Sequence, residues 1–127
     1  MELLSSSSRS SEPVDTENFT GAAMLQRFLA TDPSLPGRVY RVDFGPGTTT
    51  NWHIHDEVQL LIIIEGRCAV QVWNSDIVIA ESGDVVRIEA REKHWHGATE
   101  DSPMTHFAIN LGQSTEWSEE VSSLTGS

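Results

Sequence analysis

Four of the five histidines of the chain fall into two pairs, His53/His55 and His94/His96, each with one residue between its members. Residues two apart on a β-strand point to the same face. Each pair would therefore present two imidazoles to one side, while Trp52, Ile54 and Trp95 face the other way. Gln59 follows His55 across Asp56-Glu57, a short turn, so a hairpin can return it beside the first pair. Imidazole nitrogen is a good ligand for Mn, Fe, Co, Ni, Cu or Zn. Two histidines from one strand, one from a distant strand and an amide oxygen make a four-ligand set: His53, His55, Gln59 and His94. Water or substrate would fill the open positions. All four side chains are neutral, so the ion keeps its full charge, which favours polarising an oxygen or holding an anion. One such pair is weak evidence, because histidines alternate on strands by chance; two pairs beside turn-bounded strands weigh toward metal.

His96, the spare member of the second pair, is open to three roles: a further nitrogen ligand, an acid/base group, or a surface residue. Its period places it inward. His106 alternates with Ala108 and Asn110 and either lines the same pocket or is a buried, hydrogen-bonded structural histidine. Tyr40 and Val42 share a strand face and line a pocket mouth or simply pack. Trp52 and Trp95 are expected on the outer face, and Cys68 as a small buried hydrophobe.

The elements that position these residues follow a period of two from Val39 onward. Tyr40, Val42 and Phe44 alternate with Arg41 and Asp43, and Gly45-Pro46-Gly47 turns the chain. Strands are expected at Asn51–His55, Gln59–Ile64, Arg67–Trp73, Ile77–Ala80, Val85–Ile88, His94–Ala98 and His106–Asn110. Many short strands with glycine turns and no long helix predict an all-β antiparallel sandwich or barrel. Ala22–Ala30 fits a helical stripe through Met24, Leu25, Phe28 and Leu29, and fits a strand equally well. Residues 5–18 are Ser-, Glu- and Asp-rich and read as flexible. From Gly112 the chain is acidic and serine-rich, with Trp117 as a possible anchor.

The 127 residues suffice for one domain with a modest core, and a domain of this size gains from dimerisation. A net charge of −11 and the lack of any Lys/Arg run argue against nucleic acid and anionic membranes as partners. The single cysteine rules out an internal disulfide, no secretory leader is visible, and the longest apolar run, Leu60–Ile64, is far too short to cross a bilayer. The cytoplasm is the expected location.

The motifs resemble the cupins. The first cupin motif matches Gly47, His53, His55 and Gly66, with Gln59 where a glutamate is usual. The second matches Gly83 and His94, but has Glu89-Ala90-Arg91 where a proline-glycine turn is common. The segments Asn18–Gly21, Phe44–Gly47, Asn51–His53, Lys93–Ala98, Met104–Ile109 and Glu116-Trp117 resemble one subgroup, the small bacterial single-domain cupins that include the manganese-dependent hydroxynitrile lyases. The resemblance implies a double-stranded β-helix (jelly-roll) domain over 18–121, between a flexible segment 1–17 and a tail 122–127. It implies one divalent metal per chain, Mn(II) first and Fe(II), Ni(II), Co(II) or Zn(II) next, on His53, His55, Gln59 and His94. It also implies a homodimer paired through sheet edges. Tyr40, Val42 and Asn110 would line the pocket for a small-molecule substrate. His106 or His96 would move a proton in a lyase that splits a cyanohydrin into aldehyde and cyanide. A non-haem dioxygenase and a non-catalytic binding or sensing module are the competing functions.

Overall fold

The computed structural model describes residues 1–29 and 32–122. Its strands are β1 (Glu12–Pro13), β2 (Ala23–Leu29), β3 (Arg38–Phe44), β4 (His53–His55), β5 (Gln59–Glu65), β6 (Arg67–Val72), β7 (Val78–Glu81), β8 (Val85–Ile88), β9 (His94–Ala98), β10 (Met104–Asn110) and β11 (Thr115–Trp117). They form two antiparallel sheets, ordered β1-β2-β3-β10-β5-β8 and β11-β4-β9-β6-β7. This is the all-β antiparallel arrangement that the alternating pattern predicts, and the jelly-roll that the cupin resemblance implies. Among the described residues, no helix is long and apolar enough to cross a membrane.

The pleat explains how one set of strands holds both a core and a site. On β5 the inward residues are Gln59, Leu61 and Ile63, all buried. On β9 they are His94, His96 and Ala98, and on β10 they run from Asn110 through Ala108 and His106 to Met104. Each strand is thus apolar toward one end of the sandwich and polar toward the other. The apolar end packs Phe44, Leu61, Ile63, Cys68, Val70, Ile88, Ala98 and Met104 into one cluster. Fully burying a side chain such as Leu61 or Ile63 is worth roughly 1.5–3 kcal/mol, and this end supplies the rigid floor on which the polar end stands.

Register does the positioning. His53 on β4 lies directly opposite His94 on β9. The approach of the chain to β4 is fixed by Thr50 N donating to His96 O and Ala98 N donating to Thr48 O, both at 2.9 Å. That approach needs Gly97, because a Cβ there would meet the carbonyl oxygen of Thr48 and the backbone of Thr49. Gly66, between β5 and β6, has φ +75°, and a Cβ there would meet the carbonyl oxygen of Pro103. Glycine is required at Gly66 on both counts.

The segment that fits helix and strand alike is the strand β2 over Ala23–Leu29 (Ala30 lies outside the described residues). Its register shifts between Arg27 and Leu29, which brings Phe28 and Leu29 out of strict alternation and makes the apolar spacing look helical. Within residues 1–17 the chain forms a 3-10 turn at Ser6–Ser8 and the short strand β1 on the edge of β2. The serine-rich stretch after Gly112 contributes β11, which pairs with β4. Of the expected tail, Ser123–Ser127 lie outside the described residues. Trp52 and Trp95 pack on the outer face with Ile77 and Val121.

A candidate metal centre in a barrel pocket

Between the sheets, at the polar end, lies a cavity of about 420 Å³. Tyr40, Val42, Asn110, His53, His55, Gln59, His96 and His106 all line it, as the strand periods require. His94 packs behind them, its ring 4.2 Å from that of His53 and 5.4 Å from that of His55.

The outer bonds of the histidines fix which nitrogen faces inward. His53 Nδ1 lies 2.8 Å from Asn51 O, and His94 Nδ1 lies 2.8 Å from Glu92 O. A carbonyl can only accept, so both Nδ1 atoms carry the proton and donate it. Burial pushes the pKa of both rings down, that of His94 to about 4, so at neutral pH they are uncharged. Their Nε2 atoms then hold lone pairs. His55 Nδ1 bonds the Thr115 hydroxyl at 3.0 Å, and its Nε2 is buried with no partner. Gln59 donates through Nε2 to Asn110 Oδ1 at 2.7 Å, which turns Oε1 toward His94.

His94 Nε2 and Gln59 Oε1 are consequently two acceptors facing each other at 3.1 Å. In this orientation of the Gln59 and Asn110 amides no proton joins them. A cation satisfies both, and it would satisfy the orphaned His55 Nε2 as well. Outer hydrogen bonds of this kind orient the ligands of metal sites and raise their basicity. The donor set therefore fits a divalent ion.

The structure also brings His96 in. One ring nitrogen from each of His53, His94 and His96 lies within 4.8 Å of the others, so these three form a cluster suited to a divalent ion. His55 is adjacent, its ring 4.9 Å from that of His53. His96 is further tied to His106, Nδ1 to Nε2 at 3.0 Å, and both rest edge-on against Phe44 at the apolar floor. Burial drives the pKa of His96 far down and that of His106 to about 4. Both are neutral at pH 7, and His106 Nδ1 has no hydrogen-bond partner.

Among the pocket residues not read as site residues from the sequence are Arg38, Thr115 and Trp117. Arg38 lies in period with Tyr40 and Val42, one residue before the alternation was taken to begin. Thr115 and Trp117 belong to β11, where no strand pattern is visible. The Trp117 ring sits 4.7 Å from that of His53.

Comparison with known proteins agrees with this geometry. The family profile described as the cupin domain matches residues 40–110. The chain is 36% identical over 125 residues to an (R)-mandelonitrile lyase of Granulicella tundricola, covering 95% of each. It superposes on a cupin-like protein of Thermotoga maritima with a TM-score of 0.82 at 32% identity, over 87% of this chain and 86% of that one. A cupin 2 conserved barrel domain protein of Rhodopseudomonas palustris shares the fold, with a TM-score of 0.73 at 18% identity over 87% and 77%.

Proposed function

Because the chain belongs to the cupin domain family, we propose that it is a metal-dependent enzyme acting on a small organic molecule, and that its reaction is cleavage of a cyanohydrin to aldehyde and cyanide. The metal reading is carried by the acceptor atoms His94 Nε2 and Gln59 Oε1, which face each other with no proton between them. The reaction reading is supported by the 36% identity to the mandelonitrile lyase across nearly the whole chain. One divalent ion, manganese(II) first, would be held by His53, His55, His94 and Gln59, with His96 at its edge.

When bound, the ion supplies positive charge that favours an alkoxide over a hydroxyl. The chain's residues supply the rest. Tyr40, Val42 and Ala108 enclose the carbon skeleton and keep water from it. His106, unprotonated at neutral pH, takes the hydroxyl proton, and His96 shares it across their 3.0 Å contact. As the carbon–carbon bond breaks, cyanide leaves with the bonding pair and collects that proton, so aldehyde and hydrogen cyanide are released with the imidazoles restored. The lowered pKa makes His106 a weak base, which suffices for a hydroxyl already acidified.

The test is cyanide release from (R)-mandelonitrile by manganese-loaded protein under nitrogen. The His106→Ala variant should keep full metal content and lose activity by about 100-fold. Unchanged activity would transfer the role to His96. No cyanide from loaded wild type would remove the lyase reading, and oxygen consumption by iron-loaded protein would put an oxygenase in its place.

A further inference from the structure

The chain has eight Lys and Arg residues against nineteen Asp and Glu. Among the described residues, six of the eight are in ion pairs: Arg27, Arg41, Arg67, Arg87, Arg91 and Lys93. Arg9 sits on the Phe28 ring at 4.9 Å and does not line the cavity. Arg38 is the remaining cation, and it lines the cavity. Its Nη2 donates to Gly112 O at 2.9 Å, while its Nε is buried with no partner. Among the described residues its guanidinium forms no ion pair, and the acid its charge reaches is Asp56, whose pKa is lowered first by the amides of Ser114 and Gln113 and least by Arg38.

Arg38 is directly opposite Asn110 on β10, and Asn110 is directly opposite Gln59 on β5. Arg38, Asn110 and Gln59 thus form one cross-strand row leading from the mouth to the proposed metal ligands. Adjacent strands lie about 4.8 Å apart, so the row spans roughly 10 Å at the backbone, and the long arginine side chain shortens the gap. Burial lowers the His55 pKa, and the charge of Arg38 lowers it further. Asp56 has its oxygens on the amides of Gln113 and Ser114, and Asp15, which lines the cavity, accepts from the amide and side chain of Asn18. Arg27, the other pocket cation, is bound to Glu12 at 2.8 Å.

We propose that Arg38 anchors a carboxylate, and that the natural substrate, a cyanohydrin or other small hydroxy or oxo compound, carries one in addition to the second oxygen, hydroxyl or carbonyl, that reaches the His/Gln cluster. The inference rests on the proposed metal site for the place of that second oxygen, and on nothing in the lyase reaction. A planar guanidinium matches a carboxylate better than any neutral group.

The experiment is calorimetric titration of manganese-loaded protein with mandelate and with its neutral counterpart mandelamide, for wild type, Arg38→Met and Arg38→Lys, with metal content and circular dichroism on every sample. Wild type should prefer mandelate by about 10-fold or more, as a charge-assisted contact implies. Arg38→Met should abolish the preference, Arg38→Lys should keep part of it, and metal content should not change. The same titrations on metal-free protein separate the two readings: an Arg38-dependent preference there upholds the anchor even if the metal site fails. A preference that survives Arg38→Met, or its absence in wild type, overturns the proposal.

Discussion

At the scale of single residues, the outer carbonyl bonds of His53 and His94 assign their tautomers, and a prediction follows for the proposed ligands. His53→Ala, His55→Ala and His94→Ala should each lower metal content well below one ion per chain, measured by elemental analysis of dialysed protein. Gln59→Glu should retain the ion and hold it more tightly, since an anion replaces a neutral oxygen. Wild-type content in any two of the alanine variants would remove the site. These residues were legible in the sequence because a period of two maps directly onto one face of a strand. Arg38 obeys the same period and was missed only because the alternation was read from Val39. Thr115 was invisible for a different reason. Its contact with His55 joins positions 60 residues apart, and no local pattern encodes such a pairing.

At the scale of elements, β11 is a three-residue edge strand that closes the mouth of the pocket beside β4. Asp56 fastens its leading turn by accepting from Gln113 N and Ser114 N, and Gly112 leaves that carboxylate its space, since a Cβ there would meet it. The strand positions His55 through the Thr115 hydroxyl. Thr115→Val keeps the shape and β-branching but removes the hydrogen bond. It should weaken metal affinity about 10-fold in competition with a chelator, at unchanged secondary structure; an unchanged affinity would show that His55 needs no such support. The central strands were readable from their alternation and glycine turns. β2 was ambiguous because its register shift mixes the two periods, and β11 carries no apolar alternation at all.

At the scale of the whole molecule, burying five uncharged histidines at one end of a small sandwich makes the metal-free protein acid-sensitive. Burial holds their pKa values below the 6.5 of the free side chain, with His94 and His106 at about 4. Between those limits the unfolded chain binds more protons than the folded one, so stability is full above pH 6.5 and declines as the pH falls toward 4. The urea midpoint should drop across this window, and a flat profile would contradict the burial of neutral imidazoles. The homodimer implied by the cupin resemblance, paired through sheet edges, is tested at this scale. Light scattering at micromolar concentration should return the mass of a dimer, and a monomer mass would refute the pairing. The tryptophans divide unevenly over this architecture. Trp52, Trp73 and Trp95 meet edge to face on the outer side of the barrel, whereas Trp117 stands apart from them, over His53 and beside Phe19. The molecule therefore carries its own optical gauge: a paramagnetic ion entering the site should dim the emission of Trp117 first, and Trp117→Phe should leave the glow of the other three nearly indifferent to the metal.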